Sequence, residues 1–440
     1  MRISLSLHLT LPVLLLAHAS PADAGLFARG TEQLARTANH LHHRAAKHSA
    51  GLARDLRRAF SAMVSTQELV ATTGSAQKVY CVNTGSSLTG DGGNGNSSAG
   101  HSPSTTSGAS GASGTSTKHS STTVAANPAS SSGSSPWKLA QHWEGNDFFD
   151  GWDFWTDADP THGTVDYVSQ STAQSENLIE INDAGRAIMR VDTTQTVSTA
   201  RKSVRITTQY SYNGGLVLLD AVHMPTGCGT WPAFWSNGPD WPNKGEIDIL
   251  EGVNDNSANQ ATIHTGHGCT LPSSSPSALN ITGTVVGGTN CAAAETSNAG
   301  CGMVTSQDNS YGVGFNSNNG GVYAMQWVDS GISVWFFPRN SVPADISSGA
   351  PIPTGWPKPM AHWPATDCNP STFFQDHVQI FDTTLCGDWA GNVWGSTGSP
   401  GQEQSCATRT GVATCEEFVL NHGSSFSEAY WEVNYVKIFQ

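Results

Sequence analysis

The stretch KGEIDILEGVN, residues 244–254, has the pattern of a β-strand that carries three acidic side chains, Glu246, Asp248 and Glu251. Side chains alternate between the two faces of a strand, so Glu246 and Asp248 share one face, whereas Glu251 is out of phase with them. A β-bulge around residues 249–250 would add one residue and bring all three carboxylates to the same face. We therefore predict a bulged strand with a row of carboxylates along one side.

The surroundings of this strand favour a function for the three acids. Their spacing alone is weak evidence, because chance would produce it about 0.3 times in 300 residues of this acid content. Carboxylates placed among Ile and Leu are, however, costly to bury without a purpose. The preceding segment supplies Trp231, Trp235 and Trp241. Aromatic faces beside carboxylates are typical of a sugar-binding cleft, and core packing is the alternative for any single one of them.

Cleavage of a glycosidic bond is the chemistry that such carboxylates serve. A retaining enzyme needs one carboxylate as nucleophile and a second, roughly 5–5.5 Å away, as general acid and then general base. An acid between them can hold the nucleophile and help to keep the acid/base protonated, because like charges at close range cannot all ionise. The order Glu246, Asp248, Glu251 suits these three tasks.

The chain before Trp137 divides into three segments by composition. Residues 1–24 combine an early Arg, a short apolar run and small residues, which predicts a secretory signal peptide, too short to span a bilayer. Residues 25–82 begin with a basic stretch rich in Ala, Leu and His, which is interpreted either as a solvated amphipathic helix or as part of a propeptide. Residues 83–136 are nearly all Ser, Gly, Thr, Ala and Asn, and predict a disordered, O-glycosylated linker. We expect a secreted, extracellular protein, free or associated with the cell wall.

Residues 137–440 have the composition of one folded domain. They contain all 14 Trp of the chain, and 30 acidic residues against 11 Lys and Arg. This balance argues against nucleic acid and anionic membrane as partners, since both recruit basic surfaces. A neutral substrate fits better, and we expect a monomer without a cofactor.

Cysteine usage agrees with export. Eight of the nine Cys lie in residues 137–440, and an even number in an exported protein predicts disulfides, although eight Cys allow 105 pairings. Cys81 is left over. A zinc site is the alternative, but the CxxC spacing is absent.

The pattern of this domain is that of β-structure. Asp329-Ser330-Gly331 is a hairpin signal, and no long stretch holds a helical period. Many strands with glycine-rich connections predict an all-β fold, an antiparallel β-sandwich with jelly-roll topology. The strand-like runs lie at 186–192, 203–210, 215–224, 323–329, 330–337 and 377–386 and in the C-terminal YWEVNYVKIF.

Several motifs of residues 137–440 resemble those of a known family. GEIDILEGVN, preceded by GCGTWPAFW and followed by TIHTG at 262–266 and LCGDWAG at 385–391, resembles glycoside hydrolase family 16 in its bulged E-x-D-x-x-E form. The chain looks most like the secreted fungal laminarinase-type endo-1,3(4)-β-glucanases. The resemblance covers residues 137–440, and the motifs stand in the expected order.

The resemblance implies a cleft across the concave face of a jelly roll and retaining endo-hydrolysis of β-1,3 or mixed-linkage glucans. It makes Glu246 the nucleophile, Asp248 its assisting acid and Glu251 the general acid/base. It also places His264 beside the acid/base on the neighbouring strand, with an ordinary hydrogen-bonded histidine as the alternative.

The resemblance further implies subsites for the sugar chain. Arg205, Trp235 and Trp241 match residues on the glycone side, and Trp389 matches an aromatic residue beyond the cleavage point. Arg205 could equally be a structural ion-pair residue. The loop at residues 236–240 is slightly shorter than in the laminarinase-like pattern.

No dedicated calcium loop is recognisable, so no metal is predicted. Two other functions stay open. A cell-wall transglycosylase would pass the same covalent intermediate to a sugar hydroxyl. A non-catalytic β-glucan-binding protein would be expected to lack one of the two Glu, and both are present.

Overall fold

The structure, a computed structural model, describes residues 134–440. The predicted signal peptide 1–24, the basic segment 25–82 with Cys81, and the linker as far as residue 133 lie outside the described residues. The last linker residues are described, and the Ser135 hydroxyl donates a hydrogen bond to the Pro351 carbonyl at 2.6 Å.

The described residues form mainly β-strands, with short helices between them. The strands are β1 (Leu139–Glu144), β2 (Trp152–Phe154), β3 (Val165–Tyr167), β4 (Ile179–Ile181), β5 (Ala187–Arg190), β6 (Arg201–Ser203), β7 (Arg205–Tyr212), β8 (Gly215–His223), β9 (Thr230–Asn237), β10 (Glu246–Glu251), β11 (Gln260–His264), β12 (Thr284–Val286), β13 (Cys301–Val304), β14 (Gly321–Val328), β15 (Gly331–Pro338), β16 (Ala361–Pro364), β17 (His377–Leu385) and β18 (Tyr430–Phe439).

Two eight-stranded antiparallel sheets make up the domain. The first runs β16-β15-β14-β8-β18-β5-β4, with β1 added to β18, and the second runs β12-β13-β11-β10-β9-β17-β7-β2. A parallel pair, β3 with β6, stands apart. In each sheet the central strands pair with strands that are distant in sequence, such as β8 with β18 and β9 with β17, which is the jelly-roll arrangement predicted above. The all-β sandwich prediction is therefore confirmed.

The hydrophobic core lies between the two sheets. Phe234 of β9 and Phe381 of β17 are fully buried side by side, with ring centroids 4.6 Å apart. Trp431 of β18, from the first sheet, meets Phe381 at 5.2 Å and joins the two layers. Burying each such side chain contributes roughly 1.5–3 kcal/mol relative to exposure. Because these residues occupy one face of β9 and β17, the alternate residues of the same strands turn to the opposite face.

Two sequence-based strand assignments can be compared directly with the fold. The predicted hairpin is present, since β14 and β15 pair from Val328 and Gly331 outward around a two-residue turn. The run 203–210 is not one strand. Its start, Ser203, pairs in parallel with Tyr167, whereas Arg205 pairs with Asp382 in the second sheet, so the chain changes sheets between them.

The helices are short and lie in the connections. The α-helices are α1 (Gln170–Ser175), α2 (Pro276–Leu279), α3 (Gly312–Ser317), α4 (Ala344–Ser347), α5 (Pro370–Phe373), α6 (Cys406–Thr410) and α7 (Cys415–Asn421). The 3-10 helices are Gly145–Asp147, Ala293–Glu295, Arg339–Ser341, Pro353–Gly355 and Gly423–Phe426, and Gly387–Gly391 is a π-helix. Within residues 134–440, none of the helices has the length and apolar character needed to cross a membrane.

All eight cysteines of residues 134–440 form disulfides, which confirms the prediction of disulfide bonding and removes the zinc alternative for these thiols. One bond, Cys386–Cys415, has a direct bearing on the active site, because Cys386 adopts a φ of +62° where β17 ends and the π-helix begins. It fixes that helix against α7. The other pairs are Cys228–Cys406, Cys269–Cys368 and Cys291–Cys301.

Candidate active site

The predicted β-bulge is present in β10. Asp248 pairs with Trp235, but Leu250, two residues further on, pairs with Phe234, the very next residue of β9. Ile249 is therefore the extra residue. The register on the other side shifts at the same point, where Asp248 pairs with Thr262 and Glu251 with Gln260 of β11.

The bulge brings the three carboxylates to one face of the second sheet, which we call the cleft face. On the flanking strand β9 this face carries Trp231, Ala233 and Trp235, because Phe234 between them points into the core. Glu246 and Glu251 are half-buried at the two ends of the strand, and Asp248 between them is only 2% exposed.

A tryptophan holds each of the two glutamates. The indole N–H of Trp241 donates a hydrogen bond to Oε2 of Glu246. The indole N–H of Trp231 donates to Oε1 of Glu251 at 2.8 Å. Each carboxylate is thereby oriented by the indole N–H of a neighbouring tryptophan.

Asp248 favours the protonated form. Burial is the main reason that its pKa lies well above the usual range, and the charges of Glu246 and Asp382 raise this pKa further. Its hydrogen bond with Glu246 acts in the same direction, since only the protonated acid can donate to that carboxylate. A protonated Asp248 can donate a hydrogen bond to the neighbouring glutamate, whereas an ionised one would add a second charge.

His264 lies opposite Glu246 on β11, and its Nε2 is 3.3 Å from Oδ2 of Asp248. Its direct contact is therefore Asp248, although its charge also acts on Glu251. Glu246, Asp248 and His264 offer ligand-type atoms within 4.8 Å of one another.

Glu251 also favours the protonated form. Burial raises its pKa well above the usual range, and ionisation of Asp248 would raise this pKa further. The hydrogen bond from Trp231 and the charge of His264 act in the opposite direction and only partly offset it. A carboxyl kept protonated near neutral pH is what a general acid requires.

Arg205 and Asp382 form the neighbouring part of the cleft face. They pair across β7 and β17, with Arg205 Nη1 3.9 Å from Asp382 Oδ2. The Arg205 guanidinium lies 4.7 Å from the Trp155 ring centre and 5.2 Å from that of Trp235. Burial raises the pKa of Asp382 to about 7 despite the adjacent Arg205. Arg205 thus has the ion-pair contact that a structural role would give it, together with cation–π contacts to two tryptophans, and its place in a subsite stays a prediction.

Trp389 stands at the Glu251 end of the row. It belongs to the π-helix Gly387–Gly391, and its ring packs edge-to-face on Trp231 with 5.7 Å between centroids. Trp241 contacts Glu246 at the other end. Trp241 and Trp389 therefore lie at opposite ends of the row of acids, and Trp235 lies beside Asp248 on β9.

Sequence reasoning named Trp231 as a nearby aromatic residue without giving it a place in the site, and it missed Asp382 and Trp155. Trp231 could have been placed on the cleft face, because it lies four positions before Trp235 and so shares its strand face. Asp382 and Trp155 had no local signal, since strand pairing brings them to Arg205 from remote parts of the chain.

A bulged strand with three carboxylates on the open face of a jelly roll defines a glycoside hydrolase. Residues 152–439 match the family described as XgeA-like, catalytic GH16 domain. The chain belongs to glycoside hydrolase family 16.

Curated relatives share the catalytic region. A Schizosaccharomyces pombe protein named "Probable glycosidase" is 42% identical over 307 residues, which cover 69% of this chain and 69% of that protein. An Aspergillus niger protein named "Probable endo-1,3(4)-beta-glucanase" is 43% identical over 310 residues, which cover 70% of this chain but 40% of the relative. The chain therefore spans less than half of the length of that relative.

Two solved structures share the fold at substantial identity. Laminarinase 16A from Phanerochaete chrysosporium, solved with two β-glucans in its donor and acceptor sites, is 40% identical with a TM-score of 0.62, covering 69% of this chain and 99% of its own. An elongating family 16 β-1,3-glucosyltransferase has the same identity and TM-score, covering 69% and 100%. A laminarinase and a glucosyltransferase thus share this fold and are equally similar in sequence to this chain.

Proposed function

We propose that this protein is a secreted endo-β-glucanase that hydrolyses internal β-1,3 and mixed β-1,3/1,4 glucosidic bonds with retention. The observation that carries the proposal is the bulge at Ile249, which brings Glu251 to the face of Glu246. Without it, the out-of-phase glutamate would point into the core. The names of the relatives support the choice of a β-glucan as substrate.

In the first half of the proposed reaction, a Glu246 oxygen attacks the anomeric carbon while Glu251 gives its proton to the glycosidic oxygen. The bond from the anomeric carbon to that oxygen breaks, and the leaving chain departs with a free hydroxyl. The hydrogen bond from Trp241 orients Glu246 for this attack, and the burial of Glu251 keeps it protonated beforehand.

In the second half, Glu251 is a carboxylate and removes a proton from water as the water oxygen attacks the anomeric carbon. The ester bond to Glu246 breaks, and its electron pair returns to the Glu246 carboxylate. Two inversions leave the anomeric configuration unchanged. The protonated Asp248 donates to Glu246 and stabilises the carboxylate as it is released.

Endo-cleavage is supported by the distribution of aromatic residues. Trp241 lies on the Glu246 side, Trp235 lies beside Asp248 on β9, and Trp231 with Trp389 lies on the Glu251 side. Aromatic rings on both sides give a glucan chain apolar contacts before and after the scissile bond. Arg205 is proposed to contact the sugar chain beside Trp235.

A transglycosylase is the second candidate, and the observation that favours it is the 40% identity to a β-1,3-glucosyltransferase. Such an enzyme differs only in the second half of the reaction, where a sugar hydroxyl replaces water. The Trp231–Trp389 pair on the Glu251 side is where an acceptor sugar would stack.

Secretion and a monomeric state are part of the proposal. Four disulfides among the described residues support an oxidising compartment. Recovery from the culture medium of an expressing fungus, with its mass from light scattering, tests both. Retention inside the cell would contradict secretion, and a dimeric mass would contradict the monomeric state.

The test of activity uses the purified protein with laminarin, lichenan and xyloglucan, each with and without excess oligosaccharide acceptor. We expect shorter glucans from laminarin and lichenan, no xyloglucan cleavage, and a β-anomer as the first product in the NMR spectrum. Products longer than the substrate would favour transfer. No turnover of any glucan would exclude both enzymatic candidates.

A further inference from the structure

The bulge in β10 creates a local problem of hydrogen bonding. At the extra residue, the backbone groups of Ile249 and Glu251 no longer match those of the partner strand β11. Ile249 is 1% exposed, so water is not available to satisfy these groups. An unsatisfied backbone group in such a position costs about 1–3 kcal/mol.

The side chain of Asn259 solves this problem. Its Nδ2 donates a hydrogen bond to the Ile249 carbonyl at 2.9 Å, and its Oδ1 accepts one from the Glu251 N–H at 2.9 Å. The side-chain amide has the donor and the acceptor of a peptide group. Asn259, which is fully buried, therefore takes the place of the backbone partner that the bulge removes.

Asn259 is itself held from behind. Its backbone N–H donates to the Ser310 hydroxyl at 2.9 Å, and its carbonyl accepts from the Thr305 N–H at 3.0 Å. The Ser310 hydroxyl in turn donates to the Gln307 carbonyl at 2.7 Å. Ser310 and Thr305 are both buried. The clamp on β10 is thus fixed to the turn at residues 305–310 rather than to the substrate cleft.

We propose that Asn259 is a positioning residue that sets the backbone of Glu251 so that its carboxyl meets the glycosidic oxygen. The proposal rests on the proposed function of Glu251 as acid/base. Asn259 does not touch the substrate. It acts through the Glu251 N–H, and Trp231 orients the far end of the same side chain.

This role has a specific kinetic signature. Displacement of a catalytic group by about 1 Å can cost roughly 10²-fold in rate. The loss should depend on the leaving group, because a glucan oxygen needs a proton to depart whereas a dinitrophenolate does not. A merely structural role would lower activity on both substrates by the same factor, since it changes only the amount of folded enzyme.

The test compares kcat/KM for laminarin with kcat/KM for a dinitrophenyl β-laminaribioside. For Asn259→Ala we expect a loss of roughly 10²-fold on laminarin and less than about threefold on the aryl glycoside. Asn316→Ala is the matched control, because Asn316 clamps both backbone groups of Met224 in the same manner at 2.9 and 3.0 Å. For this variant, both values should change by one common factor.

Asn259→Asp keeps the test decisive if the alanine variant does not fold. A protonated carboxyl retains one donor and one acceptor, so laminarin turnover relative to wild type should fall as the pH rises and the new carboxyl ionises, with aryl-glycoside turnover unaffected. Parallel loss on both substrates would overturn the proposal. Glu251→Ala is run beside these variants. If it shows the selective loss and the Asn259 variants do not, the positioning role alone fails, whereas full laminarin turnover by Glu251→Ala would overturn both proposals.

Discussion

The indole of Trp231 joins the proposed general acid to the far wall of the cleft. Its N–H donates to Glu251 Oε1 at 2.8 Å, and the edge contact of its ring with Trp389 measures 5.7 Å between centroids. The same side chain therefore orients the proton donor and supports the ring on which a leaving sugar would stack. It also opposes the burial that raises the pKa of Glu251, because a donor stabilises the charged carboxylate.

Trp231→Phe should move the alkaline limb of the pH–activity profile to higher pH. The substitution keeps the aromatic ring but removes the donor, so the pKa of Glu251 rises further. Activity requires protonated Glu251 and is lost as the pH passes its pKa. The profile of kcat/KM for laminarin measures this shift, and an unchanged or lower limb would show that the hydrogen bond does not act on Glu251.

Asp248→Asn should move the same limb in the opposite direction. Where both acids titrate, the charge of Asp248 opposes ionisation of Glu251. Asn cannot ionise, so Glu251 loses its proton at lower pH, and the activity falls earlier on the alkaline side. The pH profiles of Trp231→Phe and Asp248→Asn, each compared with that of wild type, test the two opposite shifts of the alkaline limb. A shift of both variants in one direction would contradict the assignment of these contacts.

Asp382→Asn should flatten part of the dependence of stability on pH. The folded-state pKa of Asp382 is about 7, above the usual value of 3.8 for an aspartate. The folded state therefore holds this proton more tightly than the unfolded chain, and the resulting stability is present below pH 4 and lost as the pH rises to 7. The loss amounts to at most about 4 kcal/mol.

Urea unfolding of wild type and Asp382→Asn at several pH values measures this effect. The difference between their unfolding free energies should move in favour of the variant between pH 4 and 7 and stay level above that range. The absolute difference also contains the lost ion pair with Arg205, so only its change with pH is diagnostic. A constant difference would show that Asp382 ionises normally.

Trp389→Ala should reduce transfer more than hydrolysis. A sugar acceptor needs a stacking surface on the Glu251 side, whereas water does not. In reactions with excess laminari-oligosaccharide, we expect the ratio of elongated to hydrolysed products to fall, by roughly tenfold if one stacking contact is lost. The product ladder, resolved by chromatography, gives this ratio. An unchanged ratio would place the acceptor elsewhere.

The bulge and the overall architecture could be predicted from local sequence. Strand alternation made Glu251 out of phase, and a bulge was the way to return it to the face of Glu246. Two neighbouring hydrophobic runs and the turn at Asp329–Ser330 likewise predicted a hairpin in an antiparallel fold. The bulge and the hairpin depend on residues that are close together in the chain, so the local sequence is enough to predict them.

Contacts between remote strands could not be predicted. Asp382 reaches Arg205 only through the pairing of β17 with β7, and Cys386 meets Cys415 only after the π-helix turns back. Asn259 is the clearest case. An Asn before a strand is unremarkable in sequence, and its role depends on a backbone irregularity one strand away.

The most direct test of the central claim is to trap the covalent intermediate. An activated 2-deoxy-2-fluoro-laminaribioside should inactivate the enzyme by slowing both halves of the reaction, and release by water should be slowest. Mass spectrometry of a protease digest should then find one glycosyl group on the peptide that contains the bulged strand, attached to Glu246. Attachment to Glu251 or Asp248, or an α-anomeric product without any labelled peptide, would contradict the account.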